Sequence, residues 1–302
     1  MSLQFDKTIS GDKYSFIIES GLRNRIRKAN RKNNIVFVEG YDDEVIYNIV
    51  YEKEELCNIL FIDVSLANKK TGGCEEVKRL LTGCVQKLPN QKCFYGVIDR
   101  DLKTDQEVKE ETLKPEYDGR LFIFFERYTL ENYFIETRIL YNFLKGQSIH
   151  YTKLKDYLDK GEEIFEIELI NPILTDLASI AAANLTIRFF DFSEKFLEDT
   201  VSCKEGTIET RVVQRLNQTS ISEEEILSKF SDFKQKRIEK KDTQKFASAK
   251  TYFSCQFNRR LKKQAKVNIQ LNNQKYELAS ILKENGLSKD FQDLVSLISQ
   301  CQ

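Results

Sequence analysis

Four carboxylates, Glu39, Asp43, Asp99 and Asp101, have the types and spacing that could do chemistry in this 302-residue sequence. Glu39 and Asp43 stand one helical turn apart, and Asp99 and Asp101 flank a single arginine. Carboxylates that converge without matching basic partners repel one another, and a divalent cation is the usual remedy. Hard oxygen donors with no His or Cys among them favour Mg²⁺ or Mn²⁺ over zinc. Each piece also has a plainer use: an acid at a strand end can cap a helix or bind a ribose, and Asp-x-Asp recurs by chance. His150 is the single histidine and has no motif around it, so chemistry that needs an imidazole base would rest on it alone. The seven cysteines include no C-x-x-C pair and read as reduced thiols rather than a disulfide framework or zinc cluster.

The elements around these acids read as a parallel sheet. Asn34 to Glu39 is a β-branched and aromatic run too short for a helix, hence a buried strand. Gly40 ends it, Asp42 is placed to cap the next helix, and Val45, Ile46, Ile49 and Val50 carry helical spacing. Ile59 to Val64 is a second strand. Val77, Leu80, Leu81, Val85 and Leu88 form a helical stripe opened by Gly72-Gly73 and closed by Pro89. Cys93 to Asp99 is a third strand and Leu121 to Phe125 a fourth, with a polar loop or short solvated helix, Lys103 to Gly119, between them. Alternating strands and helices predict right-handed crossovers, with ligands beyond the carboxyl ends of the strands, where Glu39 and Asp99 fall. A helix precedes the first strand, within residues 13 to 32, and after Thr129 the character is helical to the end.

Net charge is zero, which excludes a uniformly basic nucleic-acid binder, but the charge is unevenly spread. Gly21 to Lys32 holds six basic residues and no acid, and Lys234 to Lys266 holds twelve against two. Phe246, Tyr252, Phe253 and Phe257 are interleaved in the second stretch, as core residues or as a stacking platform for bases. The sequence shows no signal-peptide run and no stretch approaching the roughly 18 uncharged apolar residues of a membrane span, so a cytoplasmic protein is expected.

Ile35-Val-Phe-Val-Glu39-Gly40-Tyr-Asp-Asp43 resembles the glutamate motif of TOPRIM domains, and Val97-Ile-Asp99-Arg-Asp101 resembles their Asp-x-Asp motif, sixty residues on. Asp-x-Asp on the third strand disfavours haloacid-dehalogenase and receiver arrangements, where the acids follow the first. Asp43 matches the second acid of the overcoming-lysogenization-defect nucleases. Leu130-Glu131-Asn132-Tyr133 is similar to a segment of standalone TOPRIM proteins with helical C-terminal halves, among them the AriB-type effectors of PARIS anti-phage systems. The motifs cover about residues 34 to 135.

The resemblance implies an α/β fold, an N-terminal TOPRIM catalytic domain with a Rossmann-like parallel sheet flanked by helices (1–146) and a mainly helical C-terminal domain (147–302). It implies a Mg²⁺- or Mn²⁺-dependent endonuclease acting on RNA, transfer RNA included, or on DNA, as a toxic effector in antiviral defence held by an ABC-type ATPase partner of the AriA kind. Glu39, Asp43, Asp99 and Asp101 would hold one or two ions, with Glu39 also a candidate general base. Glu131 would be a further ligand or orienting acid, or would cap its own helix with Thr129. Lys69, Lys70, Arg100, Lys103 and Arg127 would contact phosphates or form a solvated surface. A homodimer is also among the expected assemblies, and no membrane is. The rival readings are a non-catalytic TOPRIM scaffold for protein or nucleic acid and another Mg²⁺-dependent phosphotransfer enzyme, such as a glycosyltransferase.

Overall fold

The computed structural model describes residues 17, 20–29, 34–52, 58–65, 73–88, 93–191, 207–217, 220–250 and 252–299. In chain order they form α1 (Ser20–Ala29), β1 (Asn34–Val38), α2 (Tyr41–Val50), β2 (Ile59–Asp63), α3 (Gly73–Lys87), β3 (Phe94–Ile98), α4 (Asp105–Thr112) and β4 (Leu121–Ile123). A 3₁₀ turn, Leu130–Ile135, opens the helical part: α5 (Thr137–Gln147), α6 (Thr152–Leu158), α7 (Glu162–Phe165), α8 (Asn171–Asp191), α9 (Thr207–Leu216), α10 (Glu223–Lys240), α11 (Tyr252–Ala265), α12 (Lys275–Asn285) and α13 (Lys289–Ser299). Two compact units result, one of Met1–Ile98, Gln106–Ile123 and Ser288–Gln302, the other of Asp99–Asp105 and Phe124–Leu287. Residue 146, the boundary read from the motifs, lies in α5 of the second unit, and α13 lies in the first.

The first unit is an α/β unit built on a four-stranded parallel sheet of order β2-β1-β3-β4. Ile35 to Val38, Phe94, Tyr95, Val97 and Ile98 are all buried, as strands covered on both faces must be, and their near-continuous apolar runs follow from that. Gly96 faces α3: a Cβ there would stand 2.8 Å from Val77 Cγ1, so the helix lies against the strand as only glycine permits. On the opposite face Tyr95 donates its hydroxyl to the Ile298 carbonyl of α13 (3.3 Å). The register Phe61↔Val36↔Tyr95 puts Phe61 on that same face. There Tyr47 of α2 and Tyr51, which caps its C-terminus, stack on it at 4.9 and 5.6 Å, and Phe291 of α13 meets both tyrosines edge-on. Tyr51 donates to the Phe291 carbonyl (2.9 Å), and burial, followed by the nearby Asp290 charge, pushes its pKa well above the ordinary tyrosine range. The helix nearest the end of the chain thus completes one face of the sheet, while α3 covers the other.

The polar segment after Lys103 is helical at α4, with a short 3₁₀ turn at Pro115–Tyr117. Glu111 of α4 joins Lys78 of α3 (3.2 Å) and accepts from Tyr117, which fixes this segment to the unit.

The second unit is helical around α8, whose Ile173, Leu177, Ala178, Ile180, Ala181 to Ala183 and Ile187 are buried. It packs on α9, α10 and α11, and α12 packs on α5 and the 3₁₀ turn. A π-helical segment, Glu166–Ile170, joins α7 to α8, and the resulting run Glu162–Phe190 includes an 18-residue window of mean hydropathy 1.3. This run is long and apolar enough to cross a membrane by length and composition, which the sequence reading missed. About half of this window is packed inside the unit, among it Ile173, Leu177, Ala178 and Ala181 to Ala183, while Phe189 is exposed.

Candidate active site

Each crossover leads to the first half of the site. The chain leaves β1 for β2 through α2 and returns past β1 to β3 through α3, so the direction of winding reverses between β1 and β3. In parallel α/β sheets that reversal opens a crevice at the strands' carboxyl ends. Glu39 follows Val38, the last residue of β1, and Asp99 is peptide-bonded to Ile98, the last residue of β3. α3 begins against Glu39: a Cβ on Gly73 would stand 2.6 Å from the Glu39 carbonyl oxygen and 2.8 Å from its Cβ. The glycine at position 73 is therefore fixed by the approach of a helix N-terminus to the backbone that carries the glutamate.

Asp43 caps α2 from within. Its Oδ2 accepts the Gly40 N–H at 2.9 Å, and Gly40 is the extended residue before the helix (φ −149°, ψ 171°). The cap expected of Asp42 is thus made by Asp43, because the helix begins at Tyr41 and its third residue reaches back. Glu44, beside it, accepts the Asp63 N–H at the end of β2 (2.7 Å) and pairs with Arg25 of α1 (2.7 Å), giving one of the N-terminal basic residues a partner inside the unit.

The other acids belong to the second unit. Asp99 Oδ1 accepts the Leu130 N–H (3.0 Å), so Asp99 caps the 3₁₀ turn. Thr129 instead turns its hydroxyl to Asn132 Oδ1 (2.9 Å), which leaves Glu131 without the capping role considered for it. Glu131 is buried (7 % exposed) between two lysines, Lys250 Nζ 3.3 Å from Oε2 and Lys275 Nζ 3.5 Å from Oε1. Lys250 also lies 3.8 Å from Asp99 Oδ2. Glu131 Oε2 is buried and accepts no hydrogen bond. Asp101 has left-handed backbone (φ 51°), which the short polar side chain of Asp tolerates, and its N–H donates to the Tyr128 carbonyl. Lys103 approaches Asp101 at 3.8 Å.

Two further residues place Lys250. Asn132, fully buried, donates through Nδ2 to the carbonyls of Gln244 and Ala247 (both 2.8 Å), and its Oδ1 accepts the Ala249 N–H at 3.0 Å. It clamps the connection between α10 and α11, which ends on Lys250, to the turn that carries Glu131. Lys250, Lys275 and the clamping role of Asn132 were missed in the sequence. Asn132 belongs to the quoted motif, but its partners lie more than a hundred residues away, and Lys250 is one lysine among twelve basic residues.

Arg100 is corrected. It is completely buried, donates to the Phe125 carbonyl (2.6 Å) and Asp105 (2.5 Å), and lies over the rings of Phe125 and Phe246. It organises the unit rather than meeting a phosphate. Burial opposes ionisation of Asp105, yet hydrogen bonds from Lys245 and Arg100 hold its carboxyl below the ordinary range. Arg127 pairs with Glu136 (3.1 Å) and stacks on Tyr133. Lys69 and Lys70 lie outside the described residues. In the basic C-terminal stretch Tyr252, Phe253 and Phe257 are buried core residues, and Arg237 is turned inward onto Asp242 and Phe246.

Among the described residues no three His, Cys, Asp or Glu side chains stand close enough to hold a metal ion. Asp99 and Glu131 share a cationic neighbour, Lys250, and Glu131 has Lys275 as a second, so this pair of carboxylates is neutralised by ammonium groups. Comparison with protein-family models, curated proteins and solved structures finds no match to this chain.

Proposed function

We propose that this chain is a TOPRIM-type nuclease that hydrolyses phosphodiester bonds of RNA or DNA with Mg²⁺ or Mn²⁺. The observation that carries the reading is the reversal of the sheet between β1 and β3, with Glu39 at the end of one strand and Asp99 leaving the other. By the motif resemblance Glu39, Asp99 and Asp101 would be the residues to hold the ion, with Glu131 as a further candidate donor. Asp43, which caps α2, would be the remaining acid of the motif. When bound, the ion supplies Lewis acidity towards phosphate oxygen and lowers the pKa of water. Glu39 takes the proton of the attacking water, since the motif carries no imidazole. Lys103 and Arg127 offer positive charge to the phosphates. As a defence effector the enzyme would cut transfer RNA or another essential nucleic acid, restrained by an ABC-type ATPase.

Glu39→Ala tests this. Cleavage falls at least about a hundredfold while the melting temperature is retained, and excess chelator abolishes cleavage by the unaltered protein. Activity that falls only in proportion to folded protein, or persists in chelator, refutes the reading. The scaffold reading is favoured by a specific observation: Asp43 and Asp99 each cap an element, and Asp101 suits a left-handed position. On that reading all three substitutions to Asn cost stability and no cleavage is found with any metal.

A further inference from the structure

From Thr243 to Tyr276 the sequence holds eight basic residues and no acid. Four of the eight are matched by acids from other parts of the second unit: Lys245 by Asp105, Arg260 by Asp176, and Lys250 and Lys275 by Glu131. The other four, Arg259, Lys262, Lys263 and Lys266, are all exposed, and among the described residues none of them pairs with an acid. On α6 and α10, by contrast, Lys155 and Lys236 each have an acid one turn away, Asp159 and Asp232. The arrangement follows from α11, whose Phe253, Phe257, Leu261 and Ala265 are buried, so that the opposite face is turned outward. Positions 259, 262, 263 and 266 recur at i, i+3, i+4 and i+7, which sets four cationic groups in one stripe about 10 Å long. Compensation of the helix dipole accounts for Lys262 and Lys263, in the last turn, but not for Arg259 before it.

We infer that the outward face of α11 is a nucleic-acid surface, on which Arg259, Lys262, Lys263 and Lys266 hold the phosphate backbone of a bound strand. On the nuclease reading, on which this inference rests, that strand is the substrate. Phosphates recur about every 3.4 Å of axis along one strand of a duplex, so a stripe of about 10 Å spans about three of them. The face suits other partners less well. A protein interface is depleted of lysine and anchored by aromatic side chains, whereas the aromatic residues of α11 are turned into the core. A helix lying on a membrane inserts its apolar side, and here that side is occupied by the protein itself. Contacts to phosphates position a strand without reading its sequence, so this face adds affinity and leaves specificity to other residues.

Binding of a fluorescein-labelled hairpin RNA, and of a DNA hairpin of the same sequence, to the full Glu39→Ala chain in excess chelator tests the surface without hydrolysis. Fluorescence anisotropy is the readout. Arg259, Lys262 and Lys263 are replaced together by Gln, and Lys266 is kept because it closes the helix end, with left-handed backbone (φ 57°) and its ammonium on the Lys263 carbonyl (3.3 Å). The triple variant keeps its melting temperature, binds at least one hairpin about tenfold or more weakly at about 0.15 M salt, and has a salt slope shallower by about two to three. Arg259→Lys with Lys262→Arg and Lys263→Arg, which keeps every charge, retains binding. Replacing Lys87, Lys109 and Lys289 by Gln, exposed lysines of the first unit, removes the same charge and changes affinity by less than about threefold. Unchanged affinity and slope on both hairpins, an equal loss in that control, or no binding by the Glu39→Ala chain itself overturns the surface. Metal-dependent cleavage with binding indifferent to α11 overturns the surface alone, and binding through α11 with no cleavage in any metal overturns the nuclease reading alone.

Discussion

Replacing Asn132 tests the clamp that joins the 3₁₀ turn to the α10–α11 connection. Asn132 makes four hydrogen bonds, two donated by Nδ2 and two accepted by Oδ1, and it is fully buried. After Asn132→Ala, the Gln244 carbonyl keeps the Tyr128 N–H as a donor and the Thr129 hydroxyl can rotate. The Ala247 carbonyl and the Ala249 N–H lose their partners. A buried group left unsatisfied costs about 1–3 kcal/mol, so the substitution should cost about 2–6 kcal/mol in all. Asn132→Asp separates the donor from the acceptor role. Its carboxylate keeps the Ala249 N–H but turns an acceptor towards two carbonyl oxygens, and only a protonated carboxyl can donate to one of them. The native pKa of this aspartate is therefore raised above its unfolded value. A raised carboxyl binds its proton more tightly in the folded chain, so relative to Asn132 the Asp variant is worst at neutral pH and recovers as pH falls through the raised pKa. The Ala variant shows no such recovery. With no tryptophan in the chain, urea unfolding followed by far-ultraviolet circular dichroism at pH 7 and pH 5 measures all three proteins, and amide exchange at Ala249 localises the effect. An Asp variant as stable as the unaltered protein at pH 7, or an Ala variant within about 0.5 kcal/mol of it, refutes the clamp.

Gly73→Ala should destabilise the first unit by about 1–3 kcal/mol, since a Cβ 2.6 Å from a backbone oxygen forces a shift that the gain of about 1 kcal/mol in helix propensity does not offset. Thermal melting checks this, and a neutral or stabilising result would show that α3 can move off Glu39. Asp105→Asn bears on pH. Because the folded pKa of Asp105 is lowered, its contribution is present above the ordinary carboxylate range, near 3.9, and is lost as pH falls through the lower folded value. The difference in stability between the two proteins should therefore be visible at pH 7 and shrink in acid; a difference that grows in acid contradicts the assignment.

The sheet was legible because its strands are buried on both faces and so appear as unbroken apolar runs, each within two residues of the observed ends. The helices α2 and α3 were legible from their stripes, and the ends of β1 and β3 from their acids. What could not be read depends on contacts between distant parts of the chain. Nothing near Phe291 says that it meets Tyr47 and Tyr51, and nothing in Asn132 names Ala247. Arg100 looked like a phosphate ligand because it lies between two acids of a motif, but a guanidinium that can lie between two aromatic rings and donate to a carbonyl can also be fully buried. Glu162–Phe190 was overlooked because Asp176 and Arg188 interrupt its apolar stretch, so it holds no run of 18 uncharged residues.

The return of α13 to the sheet has a consequence for synthesis. Strands β1 to β4 and their helices emerge first, yet the face formed by Phe61, Tyr47, Tyr51 and Tyr95 waits for Phe291 and Ile298, among the last residues described. Until then an aromatic surface stands open on the nascent chain, exposed to chaperones or to other chains, as incompletely covered sheets are. A ribosome that stalls within α12 would release a chain that carries Glu39, Asp99 and Lys250 but lacks the helix that closes the sheet. The acids of the proposed site are thus synthesised well before α13 is available to cover the aromatic face of the sheet.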